Sequence, residues 1–224
     1  MNCKIVYEDE EILVIHKPAG LATQSAGVGQ ADAVSELKRY LSKTKKAPYL
    51  GVIHRLDQPV EGLLVFAKTP RAAASLTKQL QAGVLNKTYL AVTFGKPLAV
   101  EADLKDYLWK DGSVSRVAEE CDRERLGAKE ARLHYHVLKS DGETALLEVR
   151  IETGRFHQIR AQLAHAGFPI LGDQKYGDEA SLAVSRAKNV RNVALVARDL
   201  ELRHPVTNKN MHWEIEPEQI IFQN

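Results

Sequence analysis

The sequence predicts an α+β fold with a mixed, largely antiparallel central sheet and flanking helices, on three observations. Short alternating or apolar runs of strand length outnumber the helical stretches. Tight turn signals join several of them directly, and the few segments with apolar residues three and four apart interrupt the strands without regular alternation, which argues against a doubly wound sheet. With 224 residues, no internal repeat and no Pro/Gly/Ser linker, the chain reads as a single domain, 1–224. A domain of about 200 residues buries roughly 70% of its unfolded surface, enough for one core.

The elements follow in order. Residues 4–16 alternate on either side of the acidic stretch Glu8–Glu11, as two short paired strands do. Lys17-Pro18-Ala19-Gly20 supplies the fixed and the permissive φ of a turn, and a loop runs on through Gly29. Val34, Leu37, Tyr40 and Leu41 mark the apolar face of a helix over 31–46. The polar His54–Asp57 stretch and Pro59 precede the buried strand Gly62–Ala67. Thr69 and Pro70 cap a helix over 71–82 that Gly83 stops. Strands are expected at 87–94, 128–139 and 143–152, the last two joined by Asp141-Gly142. A helix over 156–166 closes at Gly167, with Phe156, Ile159 and Leu163 as its buried stripe. Strands at 194–203 and 211–216 flank the turn-forming His204–Asn210.

Composition narrows the function classes. A chain 44% apolar and 27% charged is that of a globular protein rather than a disordered or fibrous one. Apolar runs such as Gly62–Ala67 fall far short of the roughly 20 residues of a membrane span, and no apolar signal core opens the chain, so the expectation is a cytoplasmic protein without a membrane partner. Cys3 and Cys121 have no ligand-like spacing and read as two unpaired thiols. A net charge of +2 is too mild to announce nucleic acid, but residues 38–46 hold five cations and no acid. That run, with Lys38 and Lys43 as candidate contacts, is either a phosphate-tracking surface or a solvated helix end.

Three constellations are able to carry chemistry, each beside a plainer reading. Asp57 in His54-Arg55-Leu56-Asp57 is a carboxylate on a loop feeding a core strand; spacing alone favours a salt-bridged loop residue. Residues 152–160, with Arg155, Gln158 and Arg160, cross from a strand through Gly154 into a helix, where amides are unsatisfied and anions bind; an ordinary capped helix reads the same way. Tyr89 enters a strand where its ring is able to stack on a base, or simply to pack in the core. His134 and His136 share a strand face, but spacing places no third ligand, so no metal is expected. No phosphate loop or dinucleotide fingerprint occurs. Trp109 and Trp213 read as packing residues.

Seven segments taken together go further. Lys17–Gly20, His54–Asp57, Gly62–Lys68, Lys87–Tyr89, Thr153–Arg160, Gly172–Gly177 and Leu202–Pro205 resemble, in order and across almost the whole chain, the signatures of RluA-type RNA pseudouridine synthases. The resemblance implies the pseudouridine synthase catalytic fold with a central RNA-binding cleft. It further implies isomerisation of a specific uridine in structured RNA, transfer or ribosomal, with no cofactor and no metal. The N-glycosidic bond breaks, the uracil turns, and a carbon–carbon bond replaces it, so nothing is oxidised and no group is imported.

The family places the reactive carboxylate on Asp57, acting on the sugar or as a base. A carboxylate kept ionised in a cleft needs a nearby cation, a role the resemblance gives to Arg155. Arg55 is expected to fill the space left by the extruded uridine, and Tyr89 to stack on the flipped base or take its proton. His54, Gln158, Arg160, Lys38 and Lys43 are carried as substrate contacts. Where the family usually has Thr-Ser-Gly, this chain has Val60-Glu61-Gly62, and Glu61 is expected to put a negative charge near the phosphate-binding cleft. The small N-terminal RNA-binding domain of many relatives is not seen, and a monomer is the default expectation. Two other readings stand beside this one: an inactive relative that only binds RNA, and a hydrolase using Asp57 and Glu61 as a carboxylate pair.

Overall fold

The acidic stretch near the N-terminus does turn the chain. Asp9 Oδ1 accepts the amides of Glu11 and Ile12 at 2.8 Å each, joining β1 (Lys4–Glu8) to an antiparallel β2 (Ile12–Lys17). The computed structural model describes residues 1–25, 30–44 and 46–223; the end of the loop expected through Gly29, and Lys45 of the cationic run, lie outside them. The chain divides into two units, Met1–Lys87 with Val196–Glu218, and Thr88–Leu195 with the residues from Gln219 on.

In the first unit β2 pairs antiparallel with β4 (Glu61–Ala67), which carries β3 (Gly51–Val52) at one end. At its other end β4 runs parallel to β10 (Leu195–Arg203), and β11 (Asn210–Glu214) closes antiparallel on β10. One parallel pair among antiparallel ones makes the sheet mixed, as expected. Gly62 is required at that parallel pair: its φ is +137°, and a Cβ there would lie 2.5 Å from the Ala197 backbone N and O.

Helix α1 (Ala33–Leu41) is shorter than the expected 31–46. Asp32 caps it by accepting from the Ser35 amide, and it stops at Ser42, so Lys43 and Lys46 lie beyond its end. Its apolar residues Ala33, Val34, Leu37 and Leu41 are buried. Helix α2 (Pro70–Gln81) begins where Thr69 and Pro70 said it would, with Thr69 accepting from the Ala72 amide. Ala72 and Leu76 of α2 pack with Ile12, Val14, Leu63, Val65, Leu200 and Leu202 as this unit's core.

The second unit holds an antiparallel sheet in the order β5 (Asn86–Phe94), β9 (Thr144–Ile151), β8 (Lys129–Ser140), β6 (Glu101–Asp111) and β7 (Val114–Val117). Asp141-Gly142 makes the β8–β9 turn, with Gly142 at φ +92°. Helix α3 (Gln158–His165) packs Ala161 against Leu108 and Ala131, and α4 (Glu179–Ala187) is capped by Asp178. β6, β7 and α4 were not expected from the sequence.

Helix α3 also begins two residues later than expected. His157 stands at φ +51°, a left-handed conformation that a right-handed helix cannot include. Phe156 is thereby taken off the helix, and it is 37% exposed rather than part of the buried stripe, while Ile159 and Leu163 are buried as expected. No helix of the described residues is long and apolar enough to cross a membrane.

Candidate active site

The loop bearing Asp57 is stitched to the segment after β2 at the residues on either side of it, Leu56 and Gln58. Thr23 Oγ1 both donates to the Leu56 carbonyl (2.8 Å) and accepts the Leu56 amide (3.1 Å). The Gln58 carbonyl accepts the Gly20 amide at 2.8 Å, and Gln58 Nε2 returns a bond to the Gly20 carbonyl at 3.1 Å. Val60 then donates to the Asp57 carbonyl, closing the turn into β4. A half-buried carboxylate is thus held by a backbone fixed on both sides, which is what a reactive group on a loop requires.

Beneath this loop lies Lys17, whose side chain is completely buried. Its Nζ donates to the carbonyls of Pro18 (3.0 Å), Leu21 (2.6 Å) and Gln58 (3.3 Å), so one ammonium ties the turn after β2 to the residue following Asp57. Burial lowers its pKa from 10.5 to about 8, and the nearby Asp57 and Glu61 carboxylates oppose that fall. Lys17 is therefore a cation that interacts with Asp57 from within the same unit. Cys3 is buried close by, its thiol pushed up to about 12 mainly by burial.

The other members of the motif have different surroundings. Arg55 is exposed and projects from the loop. His54 is buried, and its Nε2 accepts the Val65 amide at 3.3 Å, a β4 donor between the stretches paired by β10 and by β3. Nδ1 has no hydrogen-bond partner among the described residues. Burial, and then the charge of Lys87, hold the imidazole well below its ordinary pKa. A buried, neutral ring already serving the strand backbone does not fit the substrate contact expected of His54.

Glu61 departs from expectation more sharply. Only 1% of its surface is exposed; its Oε1 lies 3.1 Å from His16 Nε2 and accepts the Glu218 amide at 2.7 Å. The carboxylate is an interior group of the first unit and lays no negative charge on a phosphate-binding surface. The Asp57–Glu61 carboxylate-pair reading loses its second member for the same reason.

In the second unit, the turn from β9 into α3 is built around Gln158. Its Oε1 accepts from Thr153 Oγ1 (2.8 Å) and the Arg155 amide (3.0 Å), and its Nε2 donates to the Arg132 carbonyl (2.9 Å). Gln158 is buried and spends both ends of its amide on this turn, which corrects the expectation of a substrate contact. Arg160 is corrected likewise: 3% exposed, it holds Asp173 with Nε–Oδ2 at 2.7 Å and Nη2–Oδ1 at 2.8 Å. Gln158 shapes the turn that presents Arg155, and Arg160 ties α3 to the segment at Asp173. Arg155 itself is exposed, with Nε donating to the Glu130 carbonyl at 2.8 Å. Tyr89 lies on β5 opposite Val149 and is buried.

A model of the RNA pseudouridylate synthase family matches residues 11–165. The chain belongs to this family. It is 35% identical over 222 residues to ribosomal large subunit pseudouridine synthase D of Pseudomonas aeruginosa, covering 96% of this chain and 68% of that protein. The protein of the same name from Nitrosomonas europaea is 36% identical, with 94% of this chain and 61% of that protein covered. The chain thus spans between about three fifths and two thirds of the length of these relatives. Among solved structures, human RNA Pseudouridylate Synthase Domain Containing 4 superposes with a TM-score of 0.78 at 25% identity, over 98% of this chain and 90% of that one. Human RNA Pseudouridylate Synthase Domain Containing 1 shares the fold, with a TM-score of 0.76 at 20% identity over 96% and 84% of the two chains.

Within this pseudouridine synthase, the first unit brings His54, Arg55 and Asp57 together with Lys17 and Thr23, and the second brings Arg155 together with Gln158. Lys38 and Lys43 are exposed, at the end of α1 and just beyond it. His134 and His136 find carboxylates across the strand pair, with Nδ1 2.8 Å from Asp103 and 3.5 Å from Glu101. Trp213 packs against Tyr7 at 5.4 Å between centroids. Sequence reasoning treated Lys17 only as part of a turn signature and passed over Thr23. A basic residue ending the run ILVIHK directly before Pro-Ala-Gly was the available signal for Lys17.

Proposed function

We propose that this chain isomerises a uridine of large-subunit ribosomal RNA to pseudouridine, with Asp57 as the reactive carboxylate. The observation that carries the reading is the Asp57 loop, a carboxylate whose neighbours Leu56 and Gln58 are both hydrogen-bonded to the segment after β2 and which interacts with the buried Lys17 ammonium. Membership of a family of RNA pseudouridylate synthases, and relatives named for the ribosomal large subunit, support the substrate class.

The reaction asks four things of the chain's residues. The uridine must leave its stack, a cost of a few kcal/mol, and exposed Arg55 takes the vacated space. Asp57 acts on the ribose or removes a proton; Lys17 supplies a positive charge within its own unit, and Arg155 is carried as the further cation that the family resemblance implies. Tyr89 stacks on the extruded base or takes its proton. The freed uracil then rejoins through carbon, so protons and bonds balance within the nucleotide and no cofactor takes part. We propose further that residues 1–224 act as one catalytic domain, as a monomer.

The test is tritium release from uracil labelled at carbon 5, using ribosomal RNA from cells lacking the protein. Release that disappears in Asp57→Ala, followed by mapping of the modified position, supports the reading. Binding without release would identify an RNA-binding relative, and free uracil a hydrolase; either overturns it.

A further inference from the structure

Phe156 is an exposed aromatic whose orientation is fixed from behind. Its ring stacks on His157, centroids 3.8 Å apart and planes inclined by 22°. His157 in turn meets Tyr176 edge-on at 5.6 Å, with Nδ1 2.9 Å from the Tyr176 hydroxyl. That hydroxyl accepts the Ser115 amide of β7, and Lys175 Nζ bonds the Ser113 carbonyl at 2.7 Å, so the β6–β7 hairpin braces the stack. The Lys110 ammonium stands over the ring, 5.1 Å from its centroid. Lys110 is exposed, as are Arg155, next to Phe156 in the chain, and Lys175, next to Tyr176.

These features match one ligand chemistry. An apolar π-face held rigid loses little conformational entropy when a flat ring is laid on it. Cations around it suit an anionic backbone, and a lysine side chain exchanges a solvated position over a ring for a phosphate readily. A protein partner would call for a wider apolar patch, whereas Phe156 lies under one ammonium and next in the chain to the exposed Arg155.

We propose that the outer face of Phe156 is a stacking site for an unpaired nucleobase of the RNA, with Lys110 moving from the ring to the adjoining phosphate. This rests on the reading that the chain acts on RNA, and it adds a contact for a nucleotide other than the one that reacts. Stacking on an aromatic tolerates any base, so the site grips RNA that is single-stranded beside the target without reading its sequence.

Fluorescence anisotropy with a labelled oligouridylate of about 12 nucleotides, a length within single-strand site sizes, tests it at one fixed salt concentration. Phe156→Ala is expected to weaken binding about 5- to 100-fold, Phe156→Leu to do the same despite its apolar bulk, and Phe156→Tyr to stay within about twofold. On an abasic ribose-phosphate oligomer of the same length, all variants should match the parent. Equal affinity of Phe156→Ala and parent for oligouridylate overturns the proposal, as does an equal loss on both probes or an absence of binding by the parent. Tritium release reads the enzymatic assignment separately. A parent that stacks the probe but releases no tritium keeps this site and loses the reaction, and the reverse result does the opposite.

Discussion

Replacing Arg160 by Met tests whether this motif arginine is a structural residue or an RNA contact. The guanidinium is 3% exposed and Asp173 is not exposed at all, with two charge-assisted bonds of 2.7 and 2.8 Å between them. Removing one member of such a pair leaves a buried charge without its partner, which costs about 3–5 kcal/mol. Asp173 Oδ1 also accepts the Lys175 and Tyr176 amides at 3.0 and 3.3 Å, so the carboxylate keeps part of its solvation and the lower figure, about 3 kcal/mol, applies. At roughly 2–4 °C per kcal/mol for a chain of this size, the melting temperature should fall by about 6–12 °C. Adding Asp173→Asn removes the orphaned charge while keeping an oxygen for the two amides, and should restore at least half of the loss. Circular-dichroism melts of the three variants give these numbers, and RNA titrations across salt give the other half of the test. A loss below about 1 kcal/mol that Asp173→Asn leaves unchanged, with a salt slope shallower by about 0.7–0.9, would mean that Arg160 holds a phosphate instead.

Two further outcomes follow from the first unit. Gly62→Ala forces a Cβ to within 2.5 Å of the Ala197 backbone at a φ of +137°, and should cost roughly 3 kcal/mol or more; an unchanged urea midpoint would disprove the close approach. The His54 imidazole is held neutral in the folded chain while the unfolded chain protonates near its ordinary pKa of 6.5, so the unfolded state binds more protons below that pH. Stability should therefore decline as pH falls below 6.5, by about 1.4 kcal/mol per pH unit from this residue, and His54→Gln should flatten the decline measured by urea unfolding between pH 4.5 and 6.5. An identical slope in parent and variant would show that the ring is free to protonate when folded.

The elements that sequence anticipated are those announced by local chemistry. The Asp9 turn, the Thr69-Pro70 start and Asp141-Gly142 each act through a side chain or a φ within a few residues of the break they make. The missed elements depend on partners far along the chain. In β6 the inward positions include Asp106, an acid that breaks the apolar alternation and makes sense only beside α3, where Gln162 Nε2 (2.8 Å) and His165 Nδ1 (3.1 Å) meet it. Helix α4 turns Ser181 and Ser185 inward, and Ser185 Oγ accepts the Gly172 amide at 2.8 Å, so no apolar stripe advertises it. Phe156 was assigned to a helical stripe by its spacing, but the left-handed His157 between it and the helix removes it from that phase.

The site residues divide along the same line. Position in a motif found the Asp57 loop and the turn presenting Arg155, but not which side chains face outward. In residues 153–160, Arg155 and Phe156 are exposed while Gln158 turns inward to hold the turn and Arg160 to hold Asp173. A polar residue beside a reactive one is as useful for bracing as for binding, and sequence spacing does not separate the two uses.

Glu61 makes the case electrostatically. Four residues after Asp57, a second carboxylate facing the same loop would oppose ionisation of the first, since like charges at short range raise a carboxylate pKa. The chain avoids this by starting β4 at Glu61, where the strand carries the side chain inward to His16 Nε2 at 3.1 Å and the Glu218 amide at 2.7 Å. Lys17, tied by three carbonyls to the turn after β2 and to Gln58, stands close enough to interact with both carboxylates. The interior carboxylate is therefore compensated by an imidazole, an amide and an ammonium, and in the proposed reading Asp57 is left as the loop's one carboxylate for the reaction. An acid in place of the family's usual small polar residues thus adds no charge to the surface of the Asp57 loop, because burial and pairing decide what a nearby charge does.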